Sequence, residues 1–525
     1  MPAPSDAAFR HDIEALRALL EAERAARIGL EHQLALRDQE IETLRLQLAK
    51  LRAAHFGRKS EQTSAGDQIE LRLEDLEAGV SERTGEPFVP RGETPARRAA
   101  RRPLPEHLPR EELRREPECC QGDPVASACP DCGGTLKLLG EDVSEWLEYV
   151  PGRFKVIRQI RPKYACGRCE AIVQAAALSR PIERSTAGAG LLAHVITAKY
   201  CDHLPLYRQS AIFAREGIEL ERSTLADWVG ASARLLAPLI ETLSQYVKGA
   251  DKLHADDTPV PVLAPGRGQT RTGRLWTYVR DDRPAGSSNA PAVWFAYSPD
   301  RKGEHPQTHL KDFKGLLQAD AYAGFDKLYK TGLITPVACW AHARRKFHEL
   351  QQAQASPLAA EALEQIGVLY AIEAAIRGKP PEARRALRQA QALPALDRLQ
   401  AWMHETLAKL SQKSALAEAI RYALKRWDAL CAYAHDGRAE IDNNAAERAL
   451  RAIAIGRKNY LFAGSDSGGA TAAAFYSLIG TAKLNGIDPQ AYLRHVLARV
   501  ADTPVSRLAE LLPWNCAAAL ARPAD

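Results

Sequence analysis

The sequence predicts a multidomain α+β protein. Three observations carry that reading: a heptad pattern at the N-terminus, two Cys-x-x-Cys pairs in the first third, and short apolar strands passing into strand–helix alternation beyond residue 251. With 525 residues, 46% hydrophobic and 26% charged, the chain buries more than one core. Lysine and arginine (71) nearly balance aspartate and glutamate (65), so local basic clusters must carry any contact with a polyanion. No apolar run reaches the roughly 18 residues a bilayer span needs, and Met1 to Asp12 lacks a signal-peptide core, so a cytoplasmic protein without membrane contact is expected. Ten cysteines in such a chain read as thiols or metal ligands rather than disulfides.

From Phe9 to Leu51 the heptad holds without a phase break. Ile13, Leu20, Leu34, Ile41 and Leu48 share one seam position, and Phe9, Leu16, Leu30, Leu44 and Leu51 the other. Glu23, Arg27 and Arg37 interrupt it, and Gly29 lowers helix propensity by roughly 1 kcal/mol. Residues 1–55 therefore predict a coiled-coil helix that associates copies of the chain. Residues 56–118 lose periodicity and read as a basic, largely irregular linker, in which Arg97, Arg98, Arg101 and Arg102 could lie along phosphates.

Cys129-Pro130-Asp131-Cys132 and Cys166-Gly167-Arg168-Cys169 each present two thiolates on one tight turn, the donor set of a structural Zn(II). Within the interval between them, Trp146 to Ile160 predicts a hairpin that returns the chain, giving a zinc-binding module over 119–184 with Cys119 and Cys120 spare. Residues 185–250 read as helices broken near Asp202-His203-Leu204-Pro205 and Gly217-Ile218-Glu219. Leu206 to Arg215 followed by a helix capped at Ser223 resembles a helix-turn-helix, with Arg208, Arg215 and Arg222 near its turn.

Strands are expected at Lys252 to Ala255, Val260 to Leu263, Leu275 to Arg280 and Val293 to Tyr297, then at Leu316 to Ala319 and Pro336 to Trp340, with Tyr322 to Leu328 helical. Residues 251–349 and 436–486 thus form one α/β unit, 350–435 a helical insertion, and 487–525 a helical tail. Asp256 and Asp320 each close an apolar strand. Asp442 reads as the cap of a helix that carries Glu447, Arg448 and Arg451 on its first turns. Acids from separate elements could hold two divalent ions for phosphoryl transfer. His342, Arg344, Arg345, Arg448, Arg451, Arg457 and Lys458 are candidates for neutralising phosphates.

Several of these blocks, in the same order, resemble the insertion sequence sixty-six family of bacterial transposases. They are Leu253 to Pro259, Leu317 to Tyr322, Cys339 to Phe347, Asp442 to Arg451, Phe56 to Glu61, the two knuckles, Asn459 to Gly464 and Ala482 to Gly486. The resemblance covers nearly the whole chain and implies a ribonuclease-H-like core with an Asp-Asp-Glu triad, mapping onto Asp256, Asp320 and Glu447 with Mg(II) or Mn(II). Asp257 stands where the family usually has Glu, and the residues alone leave Asp256 or Asp257 as the first ligand. The implied activity is a DDE transposase that cleaves the terminal inverted repeats of an insertion sequence and joins them to target DNA, near the bacterial nucleoid and sometimes with small accessory proteins. The alternatives are a catalytically silent zinc-containing DNA-binding protein and a metal-dependent nuclease without strand transfer.

Overall fold

The computed structural model describes residues 104–520 except positions 105, 107, 118, 119, 121–128, 151, 265, 267, 321 and 355. The coiled coil, most of the linker with Arg97, Arg98, Arg101 and Arg102, and Cys119 lie outside the described residues. The chain divides into two units, and the features below belong to that formed by Arg91–Leu263 and Thr272–Asp525.

Strands β1 (Arg110–Arg114), β2 (Leu136–Val150), β3 (Arg153–Cys166) and β4 (Ile172–Gln174) make the first sheet. β2 and β3 pair antiparallel from Leu136↔Cys166 to Val150↔Arg153, and Gly152 turns between them at φ +87°. The hairpin is therefore twice the length its sequence suggested. β1 falls in the stretch read as irregular linker; it carries no alternation of its own and is ordered by the parallel ladder that β3 offers it.

Helices α1 (Ala189–Tyr200), α2 (Leu206–Arg215) and α3 (Arg222–Lys248) follow. The breaks and the α2 limits agree with the sequence, but Glu221 rather than Ser223 flanks the start of α3, and Ser223 is its second residue. α1 is buried nearly all round, with Leu191, Leu192, Val195 and Ile196 in the same core as Leu147 and Val156 of the first sheet.

The second sheet runs in the order β7-β6-β5-β8-β9, with β5 (Lys252–Leu263), β6 (Thr270–Arg280), β7 (Ala292–Ser298), β8 (Gly315–Ala319) and β9 (Ile334–Val337). β6 and β7 pair antiparallel, whereas β5, β8 and β9 are parallel. Two expected strands are one: β5 continues through Asp256 to Leu263. Pro259 and Pro261 are tolerated because alternate positions send both missing N–H groups to one edge, where Pro261 O and Leu263 N instead meet the backbone of Ala463. The last strand is shorter than expected, since Trp340 already begins a helix.

Beyond β9 come α4 (Trp340–Gln354), α5 (Pro357–Ile376), α6 (Leu393–Lys409), α7 (Ala415–Leu424), α8 (Asn444–Asn459), α9 (Asp466–Leu484) and α10 (Pro489–Leu497). α9 closes the free edge of the sheet at β7. Its Ser477 hydroxyl accepts the Phe295 N–H at 2.8 Å, and Thr481 accepts the Val293 N–H at 3.1 Å and donates to the Val293 carbonyl at 3.0 Å. Gly480 allows this approach, because a Cβ there would lie 2.7 Å from Val293. No described helix is long and apolar enough to cross a membrane.

The insertion packs its own core against β8, β9 and α4 and is pinned by a buried ion pair. Fully buried Arg388 donates to both Glu373 oxygens at 2.7 Å and to the carbonyls of Tyr433, Asp436 and Ala439. Arg388→Met leaves Glu373, among the described residues, with only Arg384, whose Nη2 lies 3.4 Å away, so the urea midpoint is expected to fall by the equivalent of about 3–5 kcal/mol.

Candidate active site

The parallel register sets Ala255 beside Ala319, so Asp256 and Asp320 are the next residues on neighbouring strands. Asp256 does not end its strand; what ends there is the pairing of β5 with β8. The two chains part at the two acids, which leaves room for their side chains between them. Burial, then the charges of Asp320, Asp257 and Glu447, push the Asp256 carboxyl well above the ordinary carboxylate range. Its one hydrogen-bond donor among the described residues is the Asp257 N–H, at 2.8 Å.

Asp257 has different neighbours. Its carboxylate, 1% exposed, lies 3.2 Å from Arg274 and 2.9 Å from Arg301. Arg301 also reaches Asp320 at 3.8 Å and covers the Tyr322 ring at 4.4 Å, while the Tyr322 N–H donates to Asp320 at 3.1 Å. One of the two adjacent acids is therefore neutralised by arginines and the other is left among like charges.

Glu447 reaches this place through Asn443. The N-cap reading of Asp442 is corrected: α8 begins at Asn444 after Asn443, and Asp442 instead accepts the Asn444 N–H at 3.2 Å and side-chain amide at 2.9 Å. Burial lifts the Asp442 carboxyl to about 6. Asn443 is fully buried and spends its side chain on β5 rather than on the helix. Its Nδ2 donates to the Ala255 carbonyl at 2.9 Å, its Oδ1 accepts from His254 Nδ1 at 3.0 Å, and its backbone N–H donates to Cys339 Sγ at 3.2 Å. Burial holds His254 neutral, its ring lowered to about 3, which makes it a fixed donor. Gln318 on β8 supports the same turn, accepting the Glu440 N–H at 2.8 Å and donating to the Glu440 carbonyl at 2.7 Å.

These buried amides and the histidine were not assigned roles from the sequence, although His254 and Asn443 stand inside the quoted motifs; the signal was an uncharged polar residue in each apolar stretch. Asn443→Ala would leave His254 and the Ala255 carbonyl unpaired. A loss of about 2–4 kcal/mol is expected in urea unfolding, with Asn443→Leu no better.

The basic candidates divide. Arg448, Arg451 and Lys458 are exposed along α8, and Arg208 and Arg222 are exposed at the start of α2 and α3. His342, Arg344 and Arg345 on α4 are half-buried, and His342 Nε2 lies 3.6 Å from Glu447; burial lowers its imidazole. Arg457 is half-buried, and its guanidinium donates to the Pro259 carbonyl and ties α8 to β5.

At the far end of the first sheet, the Cys129, Cys132, Cys166 and Cys169 sulfurs lie within 4.8 Å of one another. Gly134 has no room for a side chain, since a Cβ would sit 2.9 Å from Cys166 Sγ. The N–H groups of Cys169 and Arg168 pull the Cys166 thiol down to about 6, as suits a thiolate ligand. Cys120 is buried beside this group but is not one of the four.

Comparison with known families matches residues 184–471 to the Transposase IS66 family, 477–514 to the IS66 C-terminal element, 126–170 to the zinc-finger binding domain of transposase IS66, and 43–113 to Transposase C of IS166 homeodomain. The chain belongs to the IS66 transposase family. Among relatives of this IS66-family chain are three uncharacterized proteins of Sinorhizobium fredii. y4hP is 43% identical over 90% of this chain and 89% of its own length; y4qI is 38% identical over 96% and 97%, and y4jD 38% over 90% and 94%. The four-cysteine cluster lies within the matched zinc finger, and Asp256, Asp320 and Glu447 lie within the matched transposase region.

Proposed function

We propose that the chain is a DDE transposase that cleaves the ends of an insertion sequence and joins them to target DNA, with Asp256, Asp320 and Glu447 as its triad. The observation that carries this is the Asp256 carboxyl, buried among the like charges of Asp320, Asp257 and Glu447. Such a group fits Mg(II) or Mn(II), which would relieve the repulsion, whereas Asp257 already has Arg274 and Arg301. Asp256 is accordingly the first ligand. When bound, the ions would activate the attacking oxygen and stabilise the leaving one.

The sheet order, with one antiparallel flank and three parallel strands, supports a ribonuclease-H-like core, split by the helical insertion. Asn443 and Gln318 hold the Glu447 helix against β5 and β8. Arg448, Arg451 and Lys458, with Arg344 and Arg345, neutralise the DNA backbone, and Arg208 and Arg222 extend the basic surface at the helix-turn-helix-like segment. The four cysteines hold a structural Zn(II), and the N-terminal heptads join two copies, one for each element end.

The test supplies pre-cut element ends, a target plasmid and Mg(II). Joined product supports the reading. Nicking of uncut ends without joining would reduce the protein to a nuclease, and binding without nicking to a DNA-binding protein.

A further inference from the structure

The turn from β9 into α4 carries Cys339-Trp340-Ala341-His342, a pair of soft donors on one tight turn. Cys339 Sγ, a ring nitrogen of His342 and a carboxylate oxygen of Glu447 all lie within 4.8 Å of one another. The sulfur is a thiol, pushed up to about 12 by burial and then by the charges of Asp442 and Glu447, so a metal must displace its proton. It accepts the Asn443 N–H at 3.2 Å and faces the His342 N–H three residues on, as Cys166 faces the N–H groups of Arg168 and Cys169 in the zinc knuckle. The half-buried side chains of His342 and Glu447 each keep a buried atom, Nδ1 and Oε1, without a hydrogen-bond partner among the described residues.

We propose that Cys339, His342 and Glu447 form a second cation site, selective for a soft divalent ion of the Zn(II) class, and that its occupation withdraws Glu447 from Asp256 and Asp320. One sulfur, one nitrogen and one oxygen donor make three corners of a tetrahedron and leave the fourth to water. Mg(II) prefers an all-oxygen shell and gains nothing from a thiolate, so ions of different hardness compete for one glutamate. Binding releases the Cys339 proton to solvent as the sulfur–metal bond forms. The site stands on its own geometry; its effect on cleavage rests on the triad reading above.

The experiment counts zinc bound by the full-length protein after equilibration with micromolar Zn(II), and adds the same Zn(II) to the Mg(II)-dependent nicking reaction. Two equivalents per chain are expected for the wild type, one in the knuckle and one here, and one each for Cys339→Ser and His342→Gln; wild-type circular dichroism in both variants establishes their fold. Nicking by the wild type should fall at least tenfold with Zn(II), whereas Cys339→Ser should lose less than twofold. A wild type that stops at one equivalent, or a Cys339→Ser protein that still holds two, overturns the site. Two equivalents with undiminished nicking overturn the withdrawal of Glu447. A wild type that never nicks counts against the triad reading instead, and the zinc count then still decides the site.

Discussion

Glu447→Gln is expected to lower Mg(II)-dependent nicking at a cognate end by about a hundredfold to ten-thousandfold and to leave a gel shift on the same DNA unchanged or stronger. A bound divalent ion contributes several kcal/mol at the reacting phosphate, and each 1.4 kcal/mol is about tenfold in rate. The amide keeps the shape of the side chain and removes only its charge. On the proposed triad, in which Asp256, Asp320 and Glu447 act as one unit, Asp256→Asn and Asp320→Asn should fall to the same floor, and double variants should fall no further. DNA binding survives because losing a carboxylate reduces repulsion of phosphates. Asp257→Asn should differ in kind: it removes the buried charge that Arg274 and Arg301 share, so its loss should appear in urea unfolding as well as in rate. Nicking at the wild-type rate by Glu447→Gln would remove Glu447 from the site.

Removing zinc, by chelation or by Cys129→Ser with Cys166→Ser, is expected to unfold one end of the first sheet and spare the other. Structural zinc contributes apparent binding free energies of about 10–16 kcal/mol in zinc-finger peptides. The knuckle end has little else, since its buried cluster is Cys120, Cys129, Leu136 and Cys166. Leu147, Phe154 and Val156 at the opposite end of the β2–β3 hairpin belong to the large core shared with α1 and α3. Amide exchange should therefore rise by at least about a hundredfold around Leu136–Leu138 and Tyr164–Cys166 and stay slow at Leu147 and Val156. Uniform exchange along the hairpin, or no change on chelation, would contradict this account.

The sequence made legible whatever follows a local rule. The knuckles, the α2 limits and most strands of the second sheet came from spacing, breakers and apolar runs, and the mapping of three acids onto a triad came from the family resemblance. What stayed hidden depends on distant partners. β1 has no pattern of its own and exists as a ladder on β3. β5 reads as two strands because Pro259 and Pro261 resemble a break until Ala463 is beside them. The side chain of Asn443 could serve its own helix, as sequence rules favour, or β5, as the fold requires; burial against Ala255 and His254 decides for the second. The different surroundings of Asp256 and Asp257 were likewise closed to local reasoning, because Arg274 and Arg301 come from β6 and from the segment after β7.

The latch between His254 and Asn443 joins residues 189 positions apart. A ribosome adding about 5–20 residues per second takes about 10–40 s to pass from one to the other. Until residue 320 is added the nascent chain carries Asp256 without Asp320, and from there onward it carries both but no Glu447 helix to set against them. The acids converge only after the insertion has been synthesised and the turn at Glu440–Asn443 has closed on β5 and β8. Release of a finished chain and acquisition of the three-acid cluster are thus coupled by topology. A message truncated inside the insertion yields a protein with Asp256 and Asp320 and no Glu447.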